Sequence, residues 1–169
     1  MSRSKIATIA VLTAAALAPV ALAGPPKPED PAIGPGVSIG GVSVGQPVDE
    51  AEAAWGDDGA CDPNGRLRIC EYGSSRRGLA SFGSIDGVVK FVSINAPLTA
   101  SGNYHFDGPL MEFGTLKGDL GLGDRVKRIA KRYPDGKLKK GRLTFAGDGS
   151  RMTFTGKRVV QIALTESSP

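Results

Sequence analysis

The segment Gly41-Val42-Ser43-Val44-Gly45 has the Gly-x-Ser-x-Gly spacing of a nucleophile elbow, in which a sharp strand-to-helix turn exposes a serine hydroxyl for acyl transfer. His105, the chain's single histidine, would be the base, and Asp86 lies between the two as the orienting acid. Against this chemistry, the chain has 24 glycines in 169 residues, so such a match arises easily by chance. The chain is also too short for the sheet that carries this elbow in α/β-hydrolases. No catalytic residue is therefore expected, and a small serine hydrolase remains only a remote alternative.

Cys61 and Cys70 are the only cysteines. With one histidine they cannot complete a four-ligand zinc site of the usual Cys/His kind, and Asp57-Asp58 lacks the ligand periodicity of a calcium loop. Neither metal nor cofactor is expected. In an exported chain an even cysteine count points to a disulfide, whereas a redox-active pair more typically reads Cys-x-x-Cys. Closing a loop of about ten residues would contribute on the order of 2.7 kcal/mol in the chain-entropy model, less any strain. The expectation is a stapled, projecting hairpin.

The densest charge feature is the basic run Arg125, Lys127, Arg128, Lys131, Arg132, continued by Lys137, Lys139, Lys140 and Arg142. Val126, Ile129, Ala130 and Tyr133 make an apolar stripe at helical spacing, which leaves the first five bases on the solvent side. A plain solvated face is one reading; a surface for an acidic protein or an anionic cell-envelope polymer is the other. No aromatics interleave the bases, so nucleic acid is not an expected partner. The charge is also uneven: residues 24–108 hold 6 Lys/Arg and 11 Asp/Glu, whereas 109–169 hold 13 and 6. An acidic first helix, with Asp49, Glu50 and Glu52 exposed, would contrast with a basic second one.

Residues 1–23 read as a secretory signal peptide. Arg3 and Lys5 form a basic start, an uncharged alanine-rich run follows, and Ala21-Leu22-Ala23 offers a small-x-small cleavage site before Gly24. Pro19 and the lack of a basic stop after the run oppose a transmembrane anchor. No cysteine follows Ala23 to carry a lipoprotein's lipid. The mature chain is expected to be secreted or held in the extracytoplasmic envelope, without stable membrane insertion.

Stepping along the chain, residues 36–56 align without gaps on 114–134 at an offset of 78, matching Gly36 with Gly114, Gly40 with Gly118, Gly45 with Gly123 and Trp55 with Tyr133. Each copy reads as a short strand, then a helix of about three turns, with Pro47 in the first turn of one and Asp124 capping the other. The ends match at an offset of 68, Lys90–Ile94 over Arg158–Ile162. Strands are expected at 66–72, 79–82 and 88–94, and at 142–146, 152–155 and 158–164, with turns at Asp62-Pro63-Asn64-Gly65 and Asp148-Gly149. The fold class is α+β: two tandem repeats, each one helix packed on three to four antiparallel strands. The boundaries are a proline-rich spacer at 24–35, repeat 1 at 36–95, a connector at 96–113, repeat 2 at 114–164 and a tail at 165–169. Copies this small should share a core or pair sheet edges.

On Val42-Ser43-Val44-Gly45, Ala53-Ala54-Trp55-Gly56, Cys61 with Cys70, Gly87-Val88-Val89, Leu120-Gly121-Leu122-Gly123 and Arg132-Tyr133-Pro134, the chain resembles tandem-repeat secreted actinobacterial proteins of unknown function. More distantly it is similar to the helix-on-sheet repeats of the beta-lactamase inhibitor protein and of the small outer-membrane assembly lipoproteins of the SmpA/OmlA type. The lipoprotein resemblance would imply a lipidated cysteine, which is missing. The inhibitor resemblance implies a concave sheet rich in aromatics, whereas this chain has 10 aromatic residues. The expected function is that of a secreted, non-enzymatic module binding a protein or an envelope polymer. The alternative is a proteinaceous inhibitor of a secreted hydrolase, working through the Cys61–Cys70 hairpin and the shared sheet face.

Overall fold

The computed structural model describes residues 23–64, 66–115 and 118–167, so the expected leader lies outside the described residues except for Ala23. The stretch read as a spacer, 24–35, is part of the fold. Gly24 N–H donates to the Asp58 carbonyl at 2.9 Å, the Gly24 carbonyl accepts from Gly73 N–H at 2.7 Å, and Lys27 N–H donates to the Trp55 carbonyl at 3.0 Å. Strand β1 (Ala32–Gly34) follows and fully buries Ile33. Proline density excludes a helix, yet it permits an extended segment whose remaining donors find partners elsewhere.

β1 pairs antiparallel with β2 (Ser38–Ile39), and β2 with β3 (Val42–Ser43). The β2–β3 turn is Gly40-Gly41, both at positive φ (56° and 79°), as a two-residue type I′ hairpin demands. Helix α1 (Val48–Trp55) spans eight residues, about two turns rather than three. Pro47 sits at its N-cap, and Gly56, at φ 84°, ends it. Val48, Ala51 and Trp55 form its buried stripe.

β4 (Ala60–Asn64), β5 (Leu67–Ser74), β6 (Gly78–Ile85) and β7 (Val88–Asn95) then run as an antiparallel meander. Most of the expected Asp62–Gly65 turn is thus strand; Pro63 is tolerated because β4 is the sheet edge. The connector is packed too: a 3-10 turn at Pro109–Glu112 buries Leu110, and Phe113 is buried after it. β8 (Gly114–Thr115) pairs in parallel with β1, completing a small sheet of order β3-β2-β1-β8. Its strands are two or three residues long, too short for alternation to register.

Helix α2 (Val126–Arg132) has Arg125 at its N-cap. Asp124, expected there, instead accepts from Gly121 N–H at 3.0 Å and pairs with Arg128 at 3.1 Å. β9 (Lys137–Lys139), β10 (Arg142–Ala146), β11 (Ser150–Thr155) and β12 (Gln161–Glu166) complete the chain. They join the meander in one eight-stranded antiparallel sheet of order β4-β5-β6-β7-β12-β11-β10-β9. The seam is β7 against β12, with Val92 opposite Leu164 and Ile94 opposite Ile162.

Equivalent hydrogen bonds occur in both halves. Gly45 N–H to Val89 O (2.8 Å) has its counterpart in Gly123 to Val159 (2.8 Å), Val48 to Gly87 (2.9 Å) in Val126 to Lys157 (3.0 Å), and Val89 to Gln46 (2.9 Å) in Val159 to Asp124 (2.9 Å). Side chains repeat the pattern, since Gln46 Oε1 accepts from Ser43 N–H as Asp124 Oδ2 does from Gly121 N–H, each at 3.0 Å. The donors and acceptors before the sheet differ by 78, but those at or just before the last strand, Gly87 with Lys157 and Val89 with Val159, differ by 70, not 68. A two-residue slip leaves alternation intact, so the apolar pattern alone could not expose it.

One contiguous core lies under the sheet. Trp55 anchors the first half, edge-on to Tyr72, Phe82 and Phe113, and its indole N–H donates to the Gly40 carbonyl at 3.1 Å. Tyr133, Phe145 and Phe154 stack edge-to-face in the second.

Candidate functional site

Strand alternation divides the second half of the sheet sharply. Leu143, Phe145, Met152, Phe154, Ile162 and Leu164 turn inward and are buried. Their neighbours turn outward: Arg142 lies opposite Lys139 and Thr155, Thr144 opposite Lys137 and Thr153, and Ala146 opposite Arg151. These outward side chains line an open trough of about 1210 Å³. Lys137, Lys139, Lys140, Arg142, Arg151 and Lys157 supply its cations, and Asp135 is its single acid among the described residues. None of the six cations makes an ion pair among the described residues. Between them stand the hydroxyls of Thr144, Thr153, Thr155 and Thr165.

The Lys140-Gly141 turn between β9 and β10 closes one end of the trough. Both residues have positive φ, 48° and 75°, the type I′ geometry that favours Asn, Asp or Gly over lysine. Gly156 N–H donates to the Gly141 carbonyl at 3.0 Å, which brings the turn carrying Lys157 alongside. Beyond this rim lies a second groove of about 530 Å³, where Arg125 and Lys127 of the α2 start meet Leu138, Lys140, Lys157 and Arg158. Arg158 is anchored, its Nη1 donating to the Gly123 carbonyl at 2.9 Å and its guanidinium lying 5.8 Å from the Phe106 ring centre.

The helical cations expected to form one surface are therefore divided. Arg125 and Lys127 border the second groove, while Arg128, Lys131 and Arg132 flank a separate hollow beside Leu120. All five are exposed, as the apolar stripe required. Lys137, Lys139, Lys140 and Arg142 were legible as a basic run; Arg151 and Lys157 join them only through strand pairing.

The first half presents a different face. Outward positions are Leu67, Ile69 and Glu71 on β5, Leu79 and Ser81 on β6, and Phe91 and Ser93 on β7. Phe91 lies over Gly83, where a Cβ would approach the ring to 2.2 Å. Leu67 and Ile85 face each other at the tip, 43% and 42% exposed. Cys61 and Cys70, directly opposed on β4 and β5, form a disulfide. The hairpin is an edge pair of the large sheet, tied by Arg66 to Asp86, rather than a free projection. That hydrogen bond from Arg66 holds the Asp86 carboxyl below its ordinary value. Glu52, expected on the exposed side of α1, instead pairs with Arg68 at 2.6 Å and lies 3.4 Å from Cys70 Sγ. Both sulfurs are committed to each other, so this cluster holds no thiolate for a metal. Nearby, burial first, then Glu52 and Asp57, push the Tyr72 phenol up to about 12.

The elbow residues do not assemble. Ser43 lies on β3 with its backbone held by Gln46. His105 Nδ1 contacts Asp107, its Nε2 faces the Arg76 carbonyl at 3.2 Å, and the Asp86 carboxylate is engaged by Arg66. Gly41 serves the β2–β3 turn, which accounts for its place in the motif. No helix among the described residues is long and apolar enough to cross a membrane.

No protein-family model matches the chain, and no curated protein matches it. Among solved structures, it is similar to an extracellular protein containing an SCP domain from Bacillus anthracis, at 11% identity and a TM-score of 0.46. The match covers 73% of this chain and 44% of that one.

Proposed function

We propose that this chain is a secreted, non-enzymatic interaction module of the cell envelope, made of two tandem units, whose second unit docks an anionic partner. The observation that carries the reading is the trough: six cations against one acid, none neutralised by an ion pair among the described residues. An unspent field of one sign attracts a partner of the other. The leader sequence and the Cys61–Cys70 disulfide support an oxidising, extracytoplasmic setting. The equivalent hydrogen bonds at 45/123, 46/124 and 48/126 support tandem units. The partner class is an acidic protein or an anionic envelope polymer; no nucleic acid, metal or cofactor enters the reading.

The test is a pull-down from envelope and culture-fluid fractions with the mature protein. The expected result is a salt-labile partner, lost when the trough and α2 cations are neutralised together. A partner unaffected by that change and by 0.5 M salt, which shortens the screening length roughly twofold from its physiological value, would sink it. A second reading, inhibition of a secreted hydrolase, is favoured by one feature, the exposed Leu67–Ile85 pair at the hairpin tip. A stoichiometric hydrolase partner lost on Leu67→Ser and Ile85→Ser would establish that reading instead.

A further inference from the structure

We infer that the trough is a binding site for a linear polyphosphate chain, laid across β9–β11 and over the Lys140–Lys157 rim. This rests on the anionic-partner reading and names its chemistry. Two local choices in the trough work against folding and have no internal compensation. Arg142 and Lys139 stand directly opposite one another on neighbouring strands, a like-charge pair. Lys140 occupies a left-handed position that disfavours a side chain of its kind. The equivalent type I′ turn between β6 and β7 uses Asp86-Gly87, the favoured sequence, with Asp86 tied to Arg66. Residues that break local rules without a structural return mark a site under functional demand.

The composition of the lining decides the class of ligand. No aromatic, leucine or isoleucine side chain lines the trough, so it lacks the tryptophan and tyrosine anchors common in protein–protein recognition. It also lacks stacking platforms for bases, which separates it from single-stranded nucleic acid sites. Four of the six cations are lysines, compact point charges that bind phosphate without imposing a fixed geometry. Threonine hydroxyls between them supply neutral donors for the remaining phosphate oxygens. The sheet spaces its outward cations by about 4.8 Å between strands and about 6.7 Å along one, a lattice suited to an extended polymer with one charge per unit. The rim cations Lys140 and Lys157 line both the trough and the neighbouring groove, so a long chain has somewhere to continue.

The experiment measures binding of long-chain inorganic polyphosphate to the mature protein across a salt series, with tripolyphosphate, polygalacturonate and oligothymidylate as comparators. Polyphosphate should bind at least about tenfold more tightly than tripolyphosphate at equal phosphate concentration, and more tightly than the other two polymers. Lys137→Gln, Lys139→Gln and Arg142→Gln combined should weaken it about tenfold or more and flatten the salt slope by about 0.7 per contact removed. Arg151→Gln with Lys157→Gln, on the other strand and rim, should do likewise, which guards against a misfolded first variant. Neutralising Arg128, Lys131 and Arg132, which flank the separate hollow on α2, should change affinity by less than about threefold. Equal binding of tripolyphosphate, preference for polygalacturonate, or preference for oligothymidylate each overturns the inference. So does loss through the α2 variant alone, which leaves the broader anionic-partner reading standing. Binding to none of these polyanions, together with no salt-labile partner in the pull-down, removes both.

Discussion

The open face of the eight-stranded sheet is apolar at one end and cationic at the other, although the two halves hang on equivalent backbone hydrogen bonds. On β5–β7 it carries Leu67, Ile69, Ile85 and Phe91; on β9–β11 it carries lysines, arginines and threonines. The halves also secure themselves differently. The first has a tryptophan-centred core and a disulfide, the second a smaller aromatic stack and no covalent tie among the described residues. Inward positions and turns set the frame, because they fill the core and satisfy the backbone. Outward positions answer only to solvent or a partner, so there the two halves are free to diverge.

The sharpest way to break this comparison is at the core. Trp55→Ala removes a fully buried indole with three edge-to-face partners and should cost about 3–5 kcal/mol. Tyr133→Ala, at the equivalent place, should cost less, since that ring is the more exposed of the two. Urea denaturation of both variants checks the order; equal losses would mean the halves rely on their helices equally. The disulfide comes next. Cys61→Ser with Cys70→Ser should lower stability by about 2–4 kcal/mol. Hydrogen exchange should show early opening confined to β4 and β5, and opening centred on β9–β10 would contradict a locally acting staple.

A third difference is visible in alkali. Tyr72 keeps its proton up to about pH 12 when folded, against 10 as a free phenol. Its contribution is therefore complete below pH 10 and is lost as pH rises from 10 to about 12. Stability of the native protein and of Tyr72→Phe, compared across that window, should converge, and parallel curves would refute it. Smaller again is Lys140→Asn, which should stabilise the second half by about 0.5–1 kcal/mol through relief of the left-handed lysine, while weakening polyphosphate binding. If thermal melting shows no gain, the turn is not strained. The least effect belongs to the exposed Arg66–Asp86 pair. Arg66→Ala should raise the Asp86 carboxyl back toward its ordinary value, read by NMR titration, with little change in melting.

Legibility in the sequence followed length and periodicity. Gly56 as a helix stop, the Val48-Ala51-Trp55 stripe and the strand Arg142–Ala146 were readable because each obeys a local rule over several residues. The small sheet was not, because two-residue strands carry no period and β1 pairs with β8 across some eighty residues of chain. The true register of the last strand was hidden by its own alternation. For the site, the basic run on α2 and β9–β10 was evident, but Arg151 and Lys157 lie far along the chain from Lys137 and become neighbours only when β10 pairs with β9 and β11.

Composition and local pattern by themselves determined an exported-looking chain of α+β type, two helices of opposite charge, and one cysteine pair, since these depend on residue types and short-range spacing. Tertiary structure alone decided that the proline-rich segment is woven into the fold and that the halves meet at β7 and β12. It also decided that six cations gather on the sheet's open face, while those of α2 divide between two other hollows. The reason is physical: side-chain direction is local, but which strand lies beside which is fixed only when the whole core closes.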